Sequence, residues 1–297
     1  MWDELQFASA LIVSGLSIGL MYSLIALGFV LVYKATDAIN FAQGEFVMLA
    51  GFVAALTLAA KMPVLVAVGA AVAVMVAFSF ALERIVLRPL IGRPIIAVIM
   101  ATIGLGAMLR GLPPITVGGE TRAVSLNIGD MPIGFGAISL PPVQILGVIV
   151  TLVFLGLFIW FFLRSRMGVA MRAVADNQQV AMAMGINVER YFALAWAMAG
   201  TVSALGGVIW GSMLGVDVHL ALVGLKVFPV VILGGLDSVL GAVIGGLIVG
   251  LVESLAAGYL DPYVGGGTKD FAPYVLMIIA LMFRPYGIFG THRIERV

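Results

Sequence analysis

Residues 142–163 read PVQILGVIVTLVFLGLFIWFFL, twenty-two residues without one charged side chain. A helix needs about 20 predominantly apolar residues to cross the hydrocarbon core of a bilayer, so this stretch reads as a membrane span. The whole chain agrees with it. Of its 297 residues 62% are hydrophobic and 10% are charged, and the mean hydropathy is +1.17. Soluble domains carry about 25% charged residues, which excludes that class and leaves an all-α polytopic membrane protein. Working outward, spans are expected near 8–33, 43–60, 63–83, 94–112, 191–214, 218–234, 239–257 and 270–290. The segment 218–234 is short and contains Pro229. A broken or re-entrant helix is expected there, giving about eight to nine membrane segments in a single transmembrane domain.

The opening MWDELQF lacks a basic region, so the first span is expected to be retained rather than cleaved. There is no cysteine, hence no disulfide frame, thiol nucleophile or cysteine metal site. The two histidines, His219 and His292, are too few and too distant to suggest a metal centre. A net charge of +1 gives no sign of a nucleic-acid partner. No GxxxxGK[ST] motif occurs; GGGTKD at 265–270 lacks the ending that would hold a phosphate, so no nucleotide site is expected in this chain. No Ser-His-Asp arrangement or zinc motif points to an enzyme.

Basic residues set the orientation. With nine crossings and the N-terminus outside, eleven of the 16 Lys and Arg residues fall on the cytoplasmic side, among them Arg164, Arg166, Arg172 and Arg190. Lys61, Arg110, Arg122 and Lys269 fall outside, and Lys226 lies within a span. The longest outer connection, 113–142, is rich in Gly and Pro, and a small hairpin is expected there, with TRAVSLNI (121–128) as its alternating strand.

The cytoplasmic connection 164–190 contains MRAVADNQQVAMAMGIN (171–187). Asp176 and Gln179 have a capping-box spacing, so a two-turn helix is expected over 177–184, stopped by Gly185. Val180, Ala181 and Met184 are expected on one apolar face, with Asn187 capping the next span and Glu189 in its first turn. A helix this short is not stable alone in water and has to be held by its neighbours or a partner.

Four stretches resemble the branched-chain amino-acid ABC transporter permeases, the shorter of that family's two permease types. They are GVAMRAVADNQQVAMAMGINVERYFALAWAMAG (168–200), INFAQGEFVMLAGF (39–52), ATIGLGAMLRG (101–111) and PVVILGGLDSVLGAVIGGLIVGLVES (229–254). The resemblance covers nearly the whole chain. It implies a fold like the larger-type ABC importer permeases. The helix at 177–184 would be a coupling helix docked on an ABC ATPase through Asp176, Gln179, Val180, Ala181, Met184 and Gly185. It further implies a paralogous permease, two ATPase subunits that use ATP, an extracytoplasmic solute-binding protein, the cell inner membrane, and leucine, isoleucine and valine as cargo. Related permeases handle other amino acids, amides or urea.

Polar residues at membrane depth mark a solute path. The candidates are Asn40, Gln43, Glu45, Lys226 and Glu253. Asn40 and Gln43 also have the spacing to cap the second span, and Lys226 could pair with Glu253. The same three ionisable residues would serve a stand-alone transporter driven by an ion gradient, which is the rival reading. Gly241, Gly245, Gly246 and Gly250 make overlapping GxxxG patterns, and Gly207 and Gly211 another. Such spacing is expected at a close helix crossing, at a pore or between subunits.

Overall fold

The computed structural model describes residues 2–90, 93–129, 131–135 and 138–291. His292, Arg293 and Arg296 lie outside the described residues. The helices are α1 (Trp2–Thr36), α2 (Gln43–Ala59), α3 (Val64–Leu82), α4 (Ile95–Thr116), α5 (Pro142–Arg164), α6 (Arg166–Asp176), α7 (Gln178–Ala183), α8 (Val188–Leu214), α9 (Leu222–Gly234), α10 (Val239–Tyr259), α11 (Asp261–Val264) and α12 (Thr268–Phe283). A π-helical turn over Glu83–Leu87 extends α3, and a 3₁₀ turn over Val218–Ala221 leads into α9. Among the described residues six helical stretches are long and apolar enough to cross a membrane; Gln43–Ala59 and Val218–Gly234 are shorter apolar helices. The expected short segment is therefore a 3₁₀ turn joined to a 13-residue helix with Pro229 inside it.

Contacts divide the chain into two compact units. One comprises Met1–Val30, Ile128–Thr151 and Leu225–Val297; the other comprises Leu31–Asn127 and Leu152–Gly224.

In the first unit, backbones touch. Gly246 and Gly250 of α10 face Gly19 and Gly15 of α1, and a Cβ on any of the four would strike the opposing main chain. Gly245 faces the carbonyl of Val230, and Gly241 abuts Gly234 in α9. The glycine repeat thus splits between two helices of the same chain, α1 and α9. Close approach replaces the hydrophobic drive that is missing between helices in lipid. Ser254 adds a hydroxyl bond to the carbonyl of Leu11 at 2.8 Å, and Gln144 donates to that of Ser14 at 3.1 Å.

In the second unit, α2, α3 and α8 form the core. Phe46 lies edge-on to Phe78 with ring centroids 5.5 Å apart, and 6.2 Å from the ring of Trp196. Gly200 of α8 packs on the main chain of Met75, Gly207 on that of Val47, and Gly211 on the side chain of Val216. The second GxxxG pair is likewise internal.

The outer connection differs from expectation in two ways. Helix α4 continues through Pro113 and Pro114 to Thr116. The hairpin exists, but it pairs Ile133–Phe135 with Ile138–Leu140, antiparallel. TRAVSLNI makes only an isolated bridge, Arg122 with Val216.

Candidate functional site

Three consecutive helices on the polar side of α5 each begin with a side-chain cap. Ser165 accepts from the Gly168 amide at 2.9 Å, Asn177 from Val180 at 3.0 Å, and Asn187 from Arg190 at 3.1 Å. Asn187 and Glu189 are placed as expected. The cap of α7, however, is Asn177 and not Asp176. Asp176 remains the last residue of α6, whereas Asn177 adopts the extended backbone that a cap requires. Gln179 is then one position short of a capping box and is exposed. Gly185 carries a φ of +82°, the left-handed residue that ends the turn.

The face of α7 also differs. Ala181 is buried within the chain at 3% exposure, while Val180, Met182 and Met184 stand out at 57%, 55% and 78%. Six residues make less than two turns, so Val180 and Ala181, adjacent in sequence, point to different sides. Gln178 ties the helix down by donating to the carbonyl of Ala35 at 3.1 Å.

A second constellation sits where α2 begins. Asn40 and Gln43 are fully buried. They do not cap α2: its N-cap position is Ala42, without a side-chain bond. Instead Asn40 donates to Gln43 at 3.1 Å, and Gln43 donates to Ser203 of α8 at 2.9 Å. Asn40 accepts from the Ala42 amide at 3.1 Å, and Thr102 of α4 accepts from that of Phe41 at 3.3 Å. These bonds satisfy an irregular backbone between two apolar helices, which is tolerated at membrane depth only where protein or a polar cavity surrounds it.

Glu45, in the first turn of α2, forms an ion pair with Arg110 of α4. The Glu45 side chain is only 4% exposed and that of Arg110 49%. Gly106, one turn before Arg110, leaves room for the carboxylate: a Cβ there would lie 3.3 Å from it. Arg110, counted on the outer side at the end of the expected span 94–112, is thus a helix residue with a buried partner.

In the first unit, Lys226 of α9 reaches Glu253 of α10 at 3.5 Å and Asp270 of α12 at 2.6 Å. The Arg110, Thr102, Ser203 and Asp270 partners were missed in the sequence. Gly15 and Gly19 carried a readable GxxxG signal; the distant polar partners carried none.

Comparison with known proteins adds the identity of the fold and family. A structure of PsaBC from Streptococcus pneumoniae in complex with Fab aligns with 95% of this chain and 94% of that one at a TM-score of 0.51 and 12% identity, a likeness of fold. The high-affinity branched-chain amino acid transport system permease protein LivH of Escherichia coli is 33% identical over 300 residues, 96% of each chain. BraD of Pseudomonas aeruginosa, of the same description, is 33% identical over 302 residues, 96% of this chain and 97% of its own. The family model described as branched-chain amino acid transport system / permease component matches residues 11–283. With that match over nearly the whole chain, and helices of membrane-spanning length throughout, this multi-pass membrane protein belongs to the permease components of the branched-chain amino acid transport systems.

Proposed function

We propose that this chain forms half of the membrane path of an importer for leucine, isoleucine and valine, the other half being a paralogous permease. As a permease subunit of an ABC system it is not itself catalytic; partner ATPase subunits use the ATP. An extracytoplasmic binding protein delivers the amino acid. One observation carries the cargo: identity of 33% with LivH and BraD over 96% or more of each relative. The basic residues Arg164, Arg166, Arg172 and Arg190 support a cytoplasmic position for α6 and α7.

Helix α7 docks in a groove of an ATPase through Val180, Met182 and Met184. Methionine suits that role because its unbranched, polarizable chain adapts to a partner's surface. Held by Gln178 and Ala181 on one side, α7 transmits the movement of the ATPase to the ends of α1 and α8. Access then alternates between the two sides of the membrane.

The test is uptake of radiolabelled leucine by vesicles containing this chain, its partner permease and ATPase, with the binding protein outside. Uptake is expected only with internal ATP. Uptake that follows a proton or sodium gradient without ATP would overturn the reading in favour of an ion-driven transporter.

A further inference from the structure

Arg110 is costly where it stands. Half of its side chain is exposed on α4, a helix that turns most of its apolar surface away from the chain. A guanidinium facing hydrocarbon is strongly disfavoured, so this face of α4 meets water, a polar ligand or the partner permease. The neighbouring surface is open as well: nothing lies within 4 Å of a Cβ built at Gly104 or Gly111.

The ion pair leaves binding capacity unused. The guanidinium presents five N–H donors in a planar fork. Among the described residues Glu45 is its one recorded partner, reached through a single terminal nitrogen. The free edge can take a carboxylate in the two-pronged geometry that arginine favours.

An apolar cleft begins one helical turn beyond each member of the pair. It has a volume of about 260 Å³ and lies among α2, α3 and α4. Leu49, one turn beyond Glu45 on α2, and Pro113, one turn beyond Arg110 on α4, both line it, with Phe52, Phe78 and Leu112. A cation and an anion therefore lie one helical turn from an apolar cleft within the second unit.

We propose that Glu45, Arg110 and this cleft form a binding site for a zwitterionic α-amino acid with an aliphatic side chain. The cargo carboxylate bridges to the free edge of Arg110, its ammonium to Glu45, and its side chain enters the cleft beside Leu49 and Leu112. The pair supplies affinity for the head group common to all amino acids, and the cleft selects the side chain. The site rests on the amino-acid importer reading above and names the residues that carry it. A lipid acyl chain is the competing occupant of the cleft.

The chain lacks cysteine, so Leu112→Cys gives a single probe. A water-soluble thiosulfonate reacts only with thiolate, which forms in water and not in hydrocarbon. In the complete importer in vesicles, turning over ATP, the cysteine is expected to label, and leucine to slow labelling several-fold while glycine leaves it unchanged. No labelling in any state, or labelling that leucine does not slow, would overturn the site and leave the cleft to lipid. Filling the cleft with Leu49→Trp is expected to cut uptake of leucine several-fold more than that of alanine; an equal loss for both counts against selection by the cleft. Arg110→Gln alone strands a buried carboxylate, so the charge-neutral pair Glu45→Gln/Arg110→Gln is the companion variant. It is expected to retain ATPase association and lose leucine uptake, and full uptake would overturn the site. A wild-type importer that takes up no leucine refutes the cargo reading instead, and protection of Leu112→Cys by another aliphatic amino acid would then still support the site.

Discussion

The ammonium of Lys226 lies 3.5 Å from the carboxylate of Glu253, with the two residues on the adjoining helices α9 and α10. Asp270 of α12 completes the cluster at 2.6 Å from the same ammonium. Three helices of the first unit are thereby joined through one cation.

Removing that cation is expected to cost more than removing the pair. Lys226→Met leaves the nearly buried Glu253 uncompensated, at about 3–5 kcal/mol for a broken buried pair. Lys226→Met/Glu253→Gln, which removes both charges, is expected to recover most of that loss. Thermal unfolding of the detergent-solubilised protein measures both, and equal destabilisation by the two variants would refute the coupling.

Glycine positions with the same helical character are expected to respond oppositely. Gly246→Ala drives a methyl group into the carbonyl of Gly19 and the side chain of Ser23 of α1, and overpacking of this kind costs about 1–3 kcal/mol. Gly156 of α5 has open space around it, so Gly156→Ala is expected to be neutral or stabilising by up to about 1 kcal/mol from helix propensity alone. The same unfolding measurement compares them.

Helix α7 has two faces with two different sensitivities. Met184→Glu or Val180→Glu alters exposed side chains, so normal membrane levels are expected with loss of ATPase co-purification. Ala181→Leu crowds a buried position and is expected to destabilise the loop itself, visible as faster proteolysis between α6 and α8. Gly185→Val forces a β-branched residue to a φ of +82° at a cost of about 1–2 kcal/mol, with the same proteolytic signature. ATPase association unaffected by Met184→Glu and Val180→Glu together would remove α7 as the docking element.

Asp261 gives a pH-dependent tether. The Thr268 hydroxyl, and then the Thr268 amide at 2.8 Å, hold its carboxyl below the ordinary carboxylate value. A depressed folded value stabilises above the ordinary value and is lost as pH falls through the folded one. Protection of the start of α12 from hydrogen exchange is therefore expected to hold at neutral pH and to weaken only below about pH 4. Asp261→Asn is expected to remove that dependence.

Sequence alone determined the class of this protein, because crossing a bilayer is a local requirement. Twenty apolar residues, a proline in a short segment and a basic-residue bias are each read within one stretch of chain. The cap at Asn187 was nearly as legible, and that at Asn177 was read one residue early at Asp176, since neighbouring cap residues compete and only the backbone angle decides between them; Ser165 was not singled out. The resemblance in four stretches carried the family. Tertiary structure decided what pairs with what. Asn40 and Gln43 have the spacing of a cap, yet they bond to each other and to Ser203, 160 residues away. Glu45 found its cation 65 residues on, on a different helix. Glycine spacing announced a close crossing but could not say against which helix, because periodicity fixes a face of a helix and leaves its neighbour unspecified. Partners so distant in sequence meet only when the helices pack, and the outward turn of Val180, Met182 and Met184 follows from where Ala181 and Gln178 are held.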